Sequence, residues 1–229
     1  MRYFPVHLDL GGRPCTVIGG DRVAESRVTA LLAAGARVTV ISPELTPALA
    51  ALAETHEIVH HPRAYRAGDL AGAALVHVVT DDEALAAAVA AEADARGTWL
   101  NVADQPRYCG FITPAVVERG PVLIAISTGG TSPALARRLR ERIADVVGPE
   151  YGLAATILGR VRPVVSAAER DPAARARVFA ALADSGMVEA LRHHDAAAVD
   201  AILAELVGRE TSLAALGISL GDDDGTIAP

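Results

Sequence analysis

Three short stretches of the chain hold residue types from which a reaction could be assembled. In "VIGGDRVAESR", residues 17 to 27, glycines sit at the spacing of a strand, turn and helix that seats a dinucleotide. Gly19 fills the first position of the G-x-G-x-x-G/A fingerprint and Ala24 the third. Asp21 stands in the middle, where a missing side chain normally lets the backbone approach a pyrophosphate. In "NVADQP" a carboxylate, Asp104, follows an apolar run, which puts it at the C-terminal edge of a sheet, where such folds hold ligands. In "STGGTSP" two glycines lead into a helix start, a combination suited to seating a carboxylate. Each stretch also has a purely structural reading: a strand-to-helix turn without a ligand, a turn before Pro106, and a well-capped helix entry.

Asp21 carries two costs. A positive φ there would cost about 1–2 kcal/mol, less for Asp than for most residues. A carboxylate about 4 Å from a phosphate would be repelled by roughly 1 kcal/mol in water and about 4 kcal/mol at an effective dielectric of about 20. Against this, the helix N-terminus offers amides and the positive end of a dipole, and Arg22 can offset the charge. The expectation is that Asp21 turns away from the pyrophosphate onto a helix-terminal amide and that the dinucleotide still binds.

About 20 residues further on, the fingerprint calls for an acid on the ribose hydroxyls. "RVTVIS" ends at Ser42, followed by Pro43 and Glu44, so Glu44 either serves the ribose or is a first-turn acid of the next helix. The nearest cation for a ribose phosphate is Arg37, at the strand's beginning, and this position leaves NAD and NADP undecided. Asn101 can bond either a cofactor or loop backbone; Thr80 closes a strand, and Asp81 beside it is expected to cap the helix that follows. Arg137, Arg138, Arg140 and Arg142, with Arg107 and Arg119, make residues 107–142 basic within an acidic chain. Guanidinium forks pair with carboxylates, so this local reversal of sign favours an anionic ligand. The histidines His60, His61, His77, His193 and His194 show no ligand spacing, and no metal site is assigned.

The elements that must position these residues follow from periodicity. "CTVIG", "RVTVIS", "EIVHH", "ALVHVVT" and "TWLNVA" read as strands, and residues 22–34, 44–54 and 82–96 as helices. Such alternation implies a parallel sheet with crossover helices, the third crossover, "HPRAYRAGDLAG", being short or irregular. After residue 110, two strand-like runs around "ERGP" form a hairpin, and Ser132 with Pro133 opens a helix. Residues 150–216 read as several packed helices punctuated by Pro163, Pro172, Gly186 and Gly208. The fold class is therefore α/β: a Rossmann-like domain over 1–110, a hairpin-plus-helix segment over 111–148, a helical domain over 149–218 and a flexible tail over 219–229.

Composition narrows the function classes. The 229 residues are 51% hydrophobic, enough for one substantial core and a smaller second one. A net charge of -7 argues against nucleic acid or an anionic membrane as partner. All 21 basic residues are arginine, which excludes a Walker lysine, a Schiff-base lysine and a lysine base. Cys15 and Cys109 form neither a zinc spacing nor a disulfide framework, and a cytoplasmic location is expected. No secretory signal or membrane span is read in the sequence.

"VIGGDRVAESRVTALLAAGARVTVISPEL" and "LNVADQPRYCGFITPAVVERGPVLIAISTGGTSPALARRLRERI", with the spacing between them, resemble the precorrin-2 dehydrogenase and sirohydrochlorin ferrochelatase family, the first part of siroheme synthases. The resemblance covers residues 1 to about 147 well and the helical remainder loosely. It implies NAD-dependent oxidation of precorrin-2 to sirohydrochlorin, with transient insertion of ferrous iron or cobalt in some members. It also implies a homodimer whose chains build the tetrapyrrole cleft between domains. Asp104 is then the catalytic carboxylate, and Gly19, Gly20, Asp21, Arg22, Val23, Pro43, Glu44, Thr80 and Asn101 bind the cofactor. Thr128, Gly129, Gly130, Thr131, Ser132, Arg137 and Arg138 take the substrate's carboxylates. The middle turn residue is usually glycine in this family, where this chain has Asp21, and a serine that some members phosphorylate is Thr128 here.

Overall fold

The computed structural model describes residues 3–220; the expected tail over 219–229 lies almost wholly outside them. The chain divides into two compact units, one running to Thr113 and including Gly129–Thr131, the other made of Pro114–Thr128 and the chain from Ser132 onward.

In the first unit, β1 (Pro14–Ile18), β2 (Arg37–Ile41), β3 (Ile58–His61), β4 (Leu75–Val78) and β5 (Trp99–Val102) form one parallel sheet. Its order is β3-β2-β1-β4-β5, and every strand is one of the runs read from the sequence. The inner strands carry near-continuous apolar residues because helices must cover both faces of a parallel sheet. Accordingly Val17, Val40, Val76 and Val78 are essentially inaccessible. Three helices, α1 (Arg22–Ala33), α2 (Pro47–Glu54) and α3 (Glu83–Arg96), supply the crossovers. Val28 of α1 and Leu49 of α2 close one apolar cluster, and Ala86, Val89 and Ala93 of α3 another.

Two helix starts differ from the sequence reading, and β4 ends at Val78, before Thr80. Helix α2 starts at Pro47, not at residue 44, because Thr46 is its cap and Pro47 sits where a missing N–H does no harm. The cap of α3 is Asp82, not Asp81: its carboxylate accepts from Ala84 N and Leu85 N. The crossover between β3 and β4 has no helix, as "HPRAYRAGDLAG" suggests. Glu92 of α3 holds it down, accepting from Gly68 N (2.8 Å), Leu70 N (3.1 Å) and the Tyr65 hydroxyl.

In the second unit, β6 (Ala115–Arg119) and β7 (Val122–Ile126) pair antiparallel around Gly120, whose φ of 53° suits the tight turn. Helix α4 (Pro133–Val146) follows, then α5 (Pro149–Ala168), α6 (Pro172–Ala183), α7 (Met187–Arg192) and α8 (Ala196–Leu206). Ile157, Val161, Val165, Leu182, Met187, Leu191, Val199 and Leu203 form the common core of α5 to α8. Pro172, Gly186 and Gly208 punctuate as expected, but Pro163 lies inside α5. The buried face of Ile157, Val161 and Val165 carries the helix through it despite the lost hydrogen bond.

Candidate functional site

The turn after β1 is shaped by two glycines. Gly19 has φ 120°, and a Cβ there would lie 2.8 Å from the Val79 carbonyl oxygen. A Cβ on Gly20 would lie 2.0 Å from the Glu44 carbonyl oxygen and 2.7 Å from Ser42 Oγ. Both positions therefore admit only glycine, and the chain-specific departure falls at neither.

Asp21 has φ -86°, so the strain weighed for a positive φ does not arise. It is the cap of α1: Oδ1 accepts from Val23 N and Ala24 N, both at 2.9 Å. The expected contact with a helix-terminal amide is thus present, and it uses two of the donors a phosphate would use. Among the described residues, no protein acceptor meets the amides of Gly20, Asp21 and Arg22.

The loop after β2 is built against this turn. Thr46 N donates to Gly20 O (2.9 Å), the Thr46 hydroxyl donates to Glu25 of α1 (2.7 Å), and Ser42 Oγ donates to Glu44 O (2.7 Å). His60 Nε2 lies 2.9 Å from Ser42 O and fixes the loop from the edge strand. Glu44 itself is exposed, precedes the helix cap and has no side-chain partner among the described residues, which removes the reading of it as a first-turn acid.

Across the sheet's C-terminal edge, Asp104 follows β5 with φ 56°, a left-handed conformation that Asp tolerates better than most residues. It is exposed, and its carboxylate has no hydrogen-bond or ion-pair partner among the described residues. The loop that holds it is tied from several sides. Cys109 Sγ lies 3.3 Å from both Val102 N and Val102 O, and Gly110 N donates to Leu100 O (2.8 Å). Gln105 Nε2 donates to Thr80 O (3.2 Å), while the Thr80 hydroxyl accepts from Asp82 N (3.0 Å). Arg107 and Tyr108 both reach Glu83, at the start of α3.

Asn101 is buried, and of its two sequence readings the structure realises the loop-backbone one. Its Nδ2 donates to Phe111 O (3.0 Å), and its Oδ1 lies 3.3 Å from His77 Nδ1. His77 is 6% exposed and stacks edge-on against Phe111; burial pushes its pKa from 6.5 down to about 4, with Arg27 adding to the effect, so it is neutral at physiological pH. His77, Cys109 and Gln105 are positioning residues that sequence patterning does not flag, because their partners lie across strands or in irregular loop.

In the turn between β7 and α4, Gly129 and Gly130 have φ 65° and 83°. Thr128 Oγ1 accepts from Ser132 N and donates to Ser132 O, each at 3.0 Å, and Ser132 caps α4 through Leu135 N, as its sequence predicts. Thr131 lies in the same turn, Arg138 pairs with Glu141 (3.0 Å), and Arg137 is exposed on α4. Among the described residues, no group of three or more His, Cys, Asp or Glu side chains could hold a metal ion.

A parallel sheet in this strand order, with a glycine turn leading into the first helix, defines a Rossmann-like nucleotide-binding protein carrying an added helical unit. Residues 6–115 match a family described as putative NAD(P)-binding, and residues 119–145 one described as sirohaem biosynthesis protein central. Over these segments the chain is similar to proteins described as siroheme synthases. It is 42% identical over 189 residues to the siroheme synthase of Thioalkalivibrio sulfidiphilus, covering 82% of this chain and 39% of that protein. It is 37% identical over 232 residues to that of Methylococcus capsulatus, covering 98% of this chain and 49% of that protein. The chain therefore spans less than half the length of these relatives. Its fold matches a solved structure described as SirC, precorrin-2 dehydrogenase, with TM-score 0.76 and 23% identity over 89% of this chain and 98% of that one.

Proposed function

We propose that the chain oxidises precorrin-2 to sirohydrochlorin with NAD as acceptor. The observation that carries this reading is Asp104: a carboxylate without a partner among the described residues, held in a left-handed backbone at the sheet edge where the glycine turn also ends. The glycine turn fits a dinucleotide, since two cradle positions have no room for any Cβ and open amides line the start of α1. Gly19, Gly20, Arg22 and Val23 would approach the phosphates; Pro43 and Glu44 would meet the ribose, and Thr80 borders the same edge. When bound, NAD supplies the hydride acceptor.

The balance is simple. Precorrin-2 loses one hydride from a ring carbon and one proton from the macrocycle, and conjugation extends. An Asp104 carboxylate oxygen accepts that proton and passes it to water. The loop tied by Cys109, Gln105 and Asn101 keeps the carboxylate in place while it does so. The substrate's acetate and propionate groups pair with the turn from Thr128 to Ser132 and with Arg137 and Arg138.

The active species we assign is a homodimer. Val116 and Leu123 on the hairpin, and Leu135, Leu139 and Val146 along one stripe of α4, are exposed, a concentration of apolar surface that suits pairing with a second copy. Free Cys15 and Cys109 agree with a cytoplasmic location, and no helix of the described residues is long and apolar enough to cross a membrane.

The test is anaerobic incubation with precorrin-2 and NAD, without metal, following NADH absorbance and the sirohydrochlorin spectrum together. The expected result is stoichiometric formation of both, lost in Asp104→Ala. Metal insertion without NADH formation would make the chain a chelatase, and tetrapyrrole binding without either change would make it a binding module.

A further inference from the structure

The amides that open α1 already have an occupant. Asp21 Oδ1 accepts from both Val23 N and Ala24 N at 2.9 Å, and it does so from an unstrained extended backbone. These are the groups that a helix N-terminus presents to a phosphate, and an N–H cannot serve a carboxylate and a phosphate fully at once. The loop facing the turn adds no competing cation: Thr46 and Ser42 bond to Gly20, Glu25 and Glu44, and Glu44 brings a second negative charge. Arg22 is the only cation adjacent in sequence, and it pairs with no acid among the described residues.

We infer that Asp21 is a built-in stand-in for the cofactor's pyrophosphate: it seals the helix start in the free protein and weakens dinucleotide binding by holding two of its donors. The inference rests on reading the turn as the NAD site. Binding through Val23 and Ala24 then requires Asp21 to swing off the helix, and its carboxylate remains near the incoming negative charge. The residue thereby sets a weak affinity that favours rapid exchange of the oxidised for the reduced dinucleotide.

Titration calorimetry with NAD alone, without tetrapyrrole, tests this on the parent protein, Asp21→Asn and Asp21→Gly. Asp21→Asn keeps a capping oxygen and removes the charge, whereas Asp21→Gly frees both amides. Affinity is expected to rise in the order Asp, Asn, Gly, with Gly about tenfold to a hundredfold tighter than the parent, the worth of one or two charge-assisted hydrogen bonds. Inorganic pyrophosphate is expected to compete with NAD more strongly in Asp21→Gly than in the parent. The melting temperature without ligand should fall slightly in Asp21→Gly and hold in Asp21→Asn, the opposite direction from affinity. Equal NAD affinity in all three proteins would overturn this inference and leave the cofactor site standing. No NAD binding in any of them would overturn both.

Discussion

At Asp104 a left-handed backbone and an unpartnered carboxylate occur in one residue, and substitution can separate them. Asparagine tolerates the same φ of 56° but cannot take a proton at its side chain. Asp104→Asn is therefore expected to keep folding stability within about 0.5 kcal/mol, by urea unfolding, while turnover falls roughly 10²- to 10⁴-fold. Retained turnover would mean that the carboxylate is not the proton acceptor. Glu44 bears on cofactor choice in the same way. It lies past the tip of β2, is exposed and precedes the cap of α2, so its charge would face a 2′-phosphate and repel it. Glu44→Gln should narrow the preference for NAD over NADP by about tenfold, measured as a ratio of dissociation constants.

The buried link between β4 and β5 makes the sheet's stability depend on pH. His77 is neutral in the fold, with its pKa near 4, whereas in the unfolded chain it titrates at 6.5. As pH falls, the unfolded state takes up the proton first. Stability is thus complete above about pH 6.5 and declines toward pH 4 by roughly 3 kcal/mol. Urea midpoints across that window should follow this decline, and His77→Gln should flatten it. The inner strands β1 and β4 are legible in the sequence because β-branched runs buried on both faces leave little else for those segments to form. So are the cap of α4 at Ser132 and the turn at Gly120, where local chemistry decides the structure. The start of α2 is misread because Pro43–Glu44 and Thr46–Pro47 are both credible entries, and only the hydrogen bonds of Thr46 to Gly20 and Glu25 select between them. Locally Glu92 shows only its helical pairing with Arg96, while its hold on the crossover is not legible, since Gly68 and Leu70 lie more than twenty residues away. Of the candidate site, the positions of Gly19, Gly20 and Asp104 stand out from motif spacing, whereas the tether of Cys109, Asn101 and His77 depends on contacts between strands.

At the scale of the whole molecule, the second unit leaves apolar surface that its own core does not use. Ala136 of α4 is buried, while Leu135 and Val146 are 51% and 68% exposed and fall on one stripe of the helix with Leu139. The hairpin adds Val116 and Leu123, at 40% and 46%. A helix normally turns its apolar stripe inward and leaves the opposite face polar, so a stripe left largely exposed in this way suits association with a second copy. Light scattering should therefore give a mass of twice the 23.6 kDa chain. The double substitution Leu135→Glu and Val146→Lys leaves net charge unchanged and touches little of the monomer's packing. It should yield monomers whose unfolding midpoint, measured where the parent is also dissociated, shifts by no more than about 0.5 kcal/mol in free energy. If two chains build the substrate cleft, turnover should fall with the dimer while NAD affinity, whose proposed residues all fall in the first unit, is retained. Loss of both together would instead place the defect in folding, and a mass unchanged by the double substitution would move the interface elsewhere on the chain.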